Sequence, residues 1–304
     1  MRKPKVYIDG QAGTTGLQIV ERLKHRDDIE LLQIDEALRK DEAARKQMFE
    51  QADLAFLCLP DAVAIEAVRL AEGTGTKIID ASTAHRTTWT YGFPELSDAH
   101  RREIQNAQRV ANPGCHATGL IAIVYPLVQS GLVSPDEVVR AFSLTGYSGG
   151  GNKMIAEYES RKSHPLFSPR IYGLNMDHKH LPEMQKICGL KQEPLFTPIV
   201  DDYYNGMLVS VQLEQEPQTV YDALNKTYAG KPLIQVEMVK EPMLAANAQA
   251  DTDELKIYVG GSKKKTIVTA SFDNLGKGAC GAAIQNMNLM LGLDEFEGLR
   301  KKEG

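Results

Sequence analysis

The feature that most constrains the fold lies at the amino end. The apolar run Lys5-Val6-Tyr7-Ile8-Asp9 stops at GQAGTTG and gives way to LQIVERLKHR, in which Leu17, Val20 and Leu23 recur on one helical face. Gly10, Gly13 and Gly16 form G-x-x-G-x-x-G, a variant of the dinucleotide fingerprint. Glycines there allow a tight turn, a close approach of the backbone to a pyrophosphate and close packing of the helix, whose N-terminus favours negative charge. A glycine turn alone can merely start a helix, but here the alternation continues. A strand over 29–34 ends at Asp35, a helix-favouring stretch covers 41–51, and a buried strand over 53–60, a helix over 61–72 and a strand over 77–80 follow. Strands that alternate with helices and lack a two-residue period predict a parallel sheet of Rossmann type, covered on both faces.

The chain of 304 residues exceeds one typical core, so a second domain is expected. After Asn112 the texture changes to a helix from Cys115 to Gln129 and β-type runs over 137–145, 207–213, 233–238, 255–259 and 266–271, which read as a mixed α+β domain. The ending GKGACGAAIQNMNLMLGL is small and apolar along one face and predicts a buried helix that returns to the first domain. The expected division is 1–114, completed by 276–304, and 115–275. A net charge of -5 gives no pull toward nucleic acid or an anionic membrane, which leaves small-molecule chemistry. No apolar run spans a bilayer and no signal segment precedes the first strand, so a cytoplasmic protein is expected. Cys58, Cys115, Cys188 and Cys280 lie far apart without zinc-like spacing and are read as free thiols, with no metal.

ANPGCHATG at 111–119 places Cys115 where a Pro-Gly turn enters an apolar helix. Backbone amides and the positive helix end would lower a thiol pKa there, and the thiolate is the nucleophile. Cys58, Cys188 and Cys280 read instead as small buried apolar residues. A thiol nucleophile needs a proton partner, and HKHLPEM supplies His178 and His180 ahead of a helix begun at Pro182. On an extended chain the two point opposite ways, so one of them, His180, is expected to face Cys115. Asp35 follows the second strand where an acid could bind a ribose 2′-hydroxyl, while Arg39 and Lys40 could neutralise a 2′-phosphate; the residues leave the choice open. DASTAHR follows a strand end, where Ser82 and Arg86 could hold a phosphate or carboxylate, and TGYSGGG at 145–151 reads as a flexible turn rich in backbone donors.

These stretches together resemble the shorter class of N-acetyl-gamma-glutamyl-phosphate reductases, relatives of the aspartate-semialdehyde dehydrogenases. GQAGTTGL, DASTAHRT, YGFPEL, ANPGCHATG, GYSGGG, HKHLPEM and DNLGKGACGAAIQNMNLMLGL carry the resemblance, in order, along nearly the whole chain. It implies reduction of N-acetyl-gamma-glutamyl phosphate to N-acetylglutamate 5-semialdehyde and phosphate with NADPH, in arginine biosynthesis. It also implies a second domain like the catalytic domain of glyceraldehyde-3-phosphate dehydrogenase, and a homo-oligomer, dimer or tetramer. By the matching motifs Cys115 is the nucleophile and His180 the acid/base, with His178 in reserve. Cofactor contacts carry over to Gly10, Ala12, Gly13, Thr14, Thr15 and Gly16 and to Asn274 of the terminal segment; Asp35, Arg39 and Ser82 join them as candidate cofactor contacts, and Ser82, Arg86, Asn112, Tyr147 and Ser148 are the candidate substrate contacts. Asp35 and Cys280 depart from the expected pattern. Three rival readings stand beside this one: a reductase of aspartyl phosphate, a nicotinamide-binding redox sensor without catalysis, and a cysteine hydrolase, which has no use for the first domain.

Overall fold

The computed structural model describes residues 2–160 and 163–302. The chain forms two compact units: Met1–Pro94, Ala99–Pro113 and Ala282–Leu299 cluster as one, Glu95–Asp98, Gly114–Gly281 and Arg300–Gly304 as the other.

The first unit alternates as its sequence predicts: β1 (Lys5–Asp9), α1 (Thr14–Leu23), β2 (Glu30–Leu32), α2 (Glu42–Gln51), β3 (Leu54–Leu57), α3 (Asp61–Leu70), β4 (Lys77–Asp80), β5 (Thr90–Tyr91), α4 (Asp98–Asn106) and β6 (Arg109–Ala111). Among the described residues six strands pair in parallel in the order β2-β1-β3-β4-β6-β5. The order reverses between β1 and β3, the switch point at which open α/β sheets bind ligands. β3 is buried along its whole length, as helices on both faces require. Asp41 caps α2 by accepting from the Ala44 amide at 2.8 Å.

One local expectation is corrected. The buried face of α1 is Gly16, Ile19 and Leu23, whereas Leu17 is exposed. A Cβ at Gly16 would strike the Gly10 carbonyl, so α1 is rotated to lay its glycine, rather than Leu17, against the turn.

The second unit contains α5 (Cys115–Gln129), β7 (Arg140–Gly146), α6 (Gly151–Ser160), β8 (Arg170–Ile171), α7 (Leu181–Cys188), β9 (Leu195–Asp201), β10 (Met207–Leu213), α8 (Pro217–Tyr228), β11 (Ile234–Met238), β12 (Leu255–Ser262) and β13 (Lys265–Phe272). Seven strands among the described residues form a mixed sheet in the order β11-β12-β13-β10-β7-β9-β8. β9 alternates buried with partly exposed positions, the pattern of a sheet with one face on the core. The core helix α5 is buried almost all round. Gly119 lets it lie flat on the sheet, because a Cβ there would come within 2.5 Å of Val209 on β10 and 2.8 Å of Phe272 on β13.

α5 contains Pro126, which has no N–H to offer the carbonyl of Ala122 one turn earlier. Tyr228, at the end of α8, donates its hydroxyl to that carbonyl at 2.7 Å. A buried backbone acceptor is thereby satisfied from outside its own helix.

The terminal segment departs from a continuous helix. Gly276–Cys280 is a π-type turn, with Gly278 and Cys280 amides bonded to the Asp273 and Leu275 carbonyls, and α9 occupies Gly281–Leu291 alone. Positions 303 and 304 of the expected segment lie outside the described residues. Ala282–Leu299 clusters with the first unit, whereas 276–281 and the residues from Arg300 cluster with the second. Its polar side chains are buried ties: Asn288 accepts from Arg26 at 2.8 Å and Asn286 donates to the Gly92 carbonyl at 2.9 Å.

Candidate active site

Cys115 is the first residue of α5, entered from Gly114 with extended backbone and no side-chain cap, so the sulfur stands at the positive end of a fifteen-residue helix. The amide of Gly114 donates to Glu183 of α7 at 3.2 Å, which fastens the turn before the cysteine. Gly278 of the π-type turn passes so close that a Cβ there would lie 3.0 Å from Cys115 Cβ. Glycine is therefore needed at 278 to make room for the cysteine. Cys115 is half-buried; Cys188 and Cys280 are fully enclosed, and burial pushes the Cys188 thiol far up, away from its reactive form. Cys58, half-buried, follows β3, its amide bonded to the Asp9 carbonyl.

Beyond the cysteine lies a cluster of rings. His116 packs against His178 (centroids 5.2 Å apart), His180 (5.7 Å) and Phe196 (5.2 Å), and His178 and His180 lie 4.8 Å apart. The expectation that the two motif histidines point opposite ways is thus corrected. Residues 178–181 form a turn, closed by the Leu181 amide on the His178 carbonyl, with His180 in helical backbone at the N-cap of α7. A turn bends side chains two apart onto one side, which an extended strand cannot do. His178 Nδ1 accepts the His180 amide at 3.2 Å. His116 is buried and its conjugate acid falls to about 3, first through burial and then through the neighbouring His178 and Lys179. Its Nδ1 meets Ser143 Oγ at 2.9 Å and its Nε2 meets the Tyr172 hydroxyl at 2.6 Å. Sequence reasoning missed His116, Tyr172, Ser143 and Glu183. Glu183 sat inside a quoted motif and His116 beside the cysteine, whereas Tyr172 and Ser143 reach the cluster only through sheet pairing.

In the first unit, Gly10 turns with φ +93°, and a Cβ there would collide with the Cys58 carbonyl at the end of β3. Gly13 precedes α1 without a side-chain cap. A cavity of about 440 Å³ opens beside this turn, of the size that takes a ligand, and is lined in part by Gly10, Ala12, Ile34, Arg39, Lys40 and Arg45. A backbone cradle that any side chain would fill, beside such a cavity and a helix N-terminus, fits a dinucleotide. Asp35 is outside the lining; its carboxylate accepts from the Ala37 amide at 2.9 Å. Arg39 also pairs with Glu36 at 2.8 Å. The cavity wall includes an unforeseen buried acid, Asp9, raised by burial and opposed by Arg45 at 2.9 Å.

Several expected contact residues have local structural partners. Ser82 donates its hydroxyl to Asp80 at 2.7 Å, and Arg86 donates to the carbonyls of Asn112 and Ala81, each at 3.1 Å. Asn112 Oδ1 accepts from Asn286 at 3.2 Å. The expected flexible turn is instead a 3-10 turn, Tyr147–Gly150, leading straight into α6. Asn274 fixes it, donating to Ser148 Oγ at 3.0 Å while accepting the Gly206 amide at 2.9 Å. Tyr147 stacks on Tyr158 at 4.6 Å. Among the described residues no cluster of three or more His, Cys, Asp or Glu is arranged to hold a metal ion, and no helix is long and apolar enough to cross a membrane.

Comparison with known proteins places this geometry. Residues 5–107 match the semialdehyde dehydrogenase NAD-binding domain and residues 115–274 the semialdehyde dehydrogenase dimerisation domain. The chain is 44% identical to N-acetyl-gamma-glutamyl-phosphate reductase 2 of Nostoc sp., over 98% of the chain and all of the relative. It is 45% identical to the N-acetyl-gamma-glutamyl-phosphate reductase of Brucella ovis, over 95% of the chain and 99% of the relative. Its fold is that of aspartate semialdehyde dehydrogenase II of Vibrio cholerae, solved in complex with ASA, at a TM-score of 0.74, 17% identity and coverage of 96% and 99%. An aspartate semialdehyde dehydrogenase of Candida albicans, solved with NADP, aligns at a TM-score of 0.70 and 16% identity, covering 95% and 99%. A nicotinamide-binding domain, a dimerisation domain and full-length relatives of one kind agree: the chain belongs to the semialdehyde dehydrogenase family, in its N-acetyl-gamma-glutamyl-phosphate reductase branch.

Proposed function

We propose that the protein reduces N-acetyl-gamma-glutamyl phosphate to N-acetylglutamate 5-semialdehyde with release of phosphate, using NADPH, as a step of arginine biosynthesis. The observation that carries this reading is Cys115 at the uncapped start of α5 beside a cluster of histidines. The sulfur attacks the acyl carbon, forming a C–S bond as the bond to phosphate oxygen breaks, and a thioester remains on the enzyme. Amides of the first turn of α5 face the oxygen that becomes negative. When bound, the reduced nicotinamide supplies the hydride that takes the thioester to the aldehyde level. His180 exchanges the proton as the product leaves Cys115; His178, whose Nδ1 already accepts an amide, keeps its proton on Nε2 and serves as a donor.

The turn Gly10–Gly16 holds the pyrophosphate. Arg39 and Lys40 on the cavity wall favour a 2′-phosphate, with Glu36 on the same wall paired to Arg39 and Asp35 outside the lining, its carboxylate accepting from the Ala37 amide. The second unit pairs copies of the chain into a homo-oligomer, consistent with the family of its domain. The test runs the reaction in reverse. Semialdehyde, phosphate and NADP are mixed and nicotinamide absorbance is followed, expecting reduction that Cys115→Ser abolishes. Equal turnover of aspartate semialdehyde, or activity kept by the serine variant, overturns the assignment.

A further inference from the structure

The cavity beside the glycine turn has two chemically different ends. Arg39 and Lys40 make one end cationic, with a single carboxylate, Glu36, paired to Arg39. At the other end Arg45 of α2 is enclosed, its side chain 4% exposed, and pairs with both Asp9 and Glu66. Its Nε and Nη2 donate to Asp9 Oδ2 at 3.2 and 2.9 Å, and its Nη1 donates to Glu66 Oε1 at 3.3 Å. Two carboxylates around one guanidinium leave no excess positive charge for a phosphate. Hydrogen-bonding capacity remains instead. A guanidinium has five N–H groups, of which these bonds use three, and Glu66 of α3, half-exposed, keeps Oε2 without a partner among the described residues. A donor therefore stands beside an acceptor, and Ile34, Leu59 and Val63 add apolar surface to the same cavity. Gln11 gives an independent sign that a polar ligand belongs here: its amide nitrogen is buried on the lining with no hydrogen-bond partner among the described residues.

A flat apolar ring whose edge carries a donor next to an acceptor matches this end. Adenine is such a ring: its exocyclic amino group donates, and the ring nitrogens on either side of it accept. We propose that Arg45 and Glu66 read the adenine base of the dinucleotide, Glu66 accepting from the amino group and Arg45 donating to an adjoining ring nitrogen, with Asp9 as the positioning residue that fixes the guanidinium. The pair sets the base specificity of the cavity, as Arg39 and Lys40 set its preference for the 2′-phosphate. Hypoxanthine carries a carbonyl oxygen in place of the amino group; it meets Glu66 acceptor to acceptor and is rejected. No bond is made or broken. The proposal rests on the cavity taking a nicotinamide dinucleotide.

Binding is read on the intact wild-type protein from the fluorescence of the reduced nicotinamide, with NADPH and with its deaminated analogue, reduced nicotinamide hypoxanthine dinucleotide phosphate. A well-placed donor and acceptor pair discriminates between bases by about 10- to 100-fold, so the analogue should bind that much more weakly. Glu66→Gln changes a half-exposed side chain and supplies an amide N–H that can meet the carbonyl oxygen. In that variant NADPH should bind more weakly and the analogue more tightly, and the ratio should fall to about threefold or less, since the acceptor-to-acceptor clash is gone. Arg39→Ala is the contrast: it should weaken both dinucleotides by one factor and keep the wild-type ratio. Arg45 stays intact throughout, because its loss would strand the buried Asp9 carboxylate. Equal wild-type affinity for the two dinucleotides overturns the base reading and leaves the dinucleotide reading standing. A ratio that Glu66→Gln leaves unchanged, or that Arg39→Ala shifts as far, does the same. If neither dinucleotide binds the wild-type protein, the dinucleotide reading fails and this proposal with it.

Discussion

Tyr228→Phe isolates one hydrogen bond in the helix that carries Cys115. The hydroxyl donates at 2.7 Å to the Ala122 carbonyl, whose intrahelical donor is missing because residue 126 is proline. Both partners are enclosed, so the variant leaves a buried acceptor unsatisfied, at a cost of about 1–3 kcal/mol. With a urea dependence of about 2 kcal/mol per molar for a unit of this size, the unfolding midpoint of the second unit should fall by about 1 M. The control is Pro126→Ala, which restores an N–H opposite Ala122. In that background Tyr228→Phe should cost under about 1 kcal/mol, because replacing a donor that is no longer needed is close to neutral. Urea unfolding followed by circular dichroism on the four proteins measures the coupling. An equal loss in both backgrounds would refute the assignment of Tyr228 as the surrogate donor.

Two further outcomes follow from the site. Gly10→Ala puts a methyl group into the Cys58 carbonyl at φ +93°, and should weaken NADPH binding more than tenfold in a fluorescence titration while Cys115 alkylation stays unchanged. His116 titrates at about 3 when folded against 6.5 when unfolded. The unfolded chain therefore takes up the proton first, and stability is retained above pH 6.5 and lost as pH falls toward 3, at up to about 1.4 kcal/mol per pH unit from this group. Urea midpoints at pH 7 and pH 5 should converge in His116→Gln; an unchanged acid loss would count against a neutral buried ring.

Local signals were legible where one segment settles its own structure. The bounds of α5 follow from a Pro-Gly turn and an apolar run, and those of β4 from a short apolar run after α3. What depends on distant chain was not. β9 carries Pro198, which argues against a strand, yet Pro198 sits opposite Ser143 of β7 and still accepts from the Tyr172 amide through its carbonyl. The histidine pair was misjudged because an extended chain was assumed where the Leu181 amide closes a turn. For Asp35 the strand-end position was visible in the sequence, whereas its bond to the Ala37 amide was not. Asn274 and Ser148 came forward from their motifs, while their hydrogen bond to one another joins segments far apart in the chain and had no local signal.

The placement of Cys115 at one end of α5 also shapes how the protein can change. The same helix presents its sulfur at the first residue and fills the core with Leu120, Ile121, Ile123, Val124 and Leu127. A substitution several turns away that tilts or slides this rod is transmitted to the Cys115 sulfur, since a close-packed helix shifts as a body. Activity and foldedness are therefore inherited together along this segment. Sequence drift has more freedom in the surface loops than in the helix that holds Cys115.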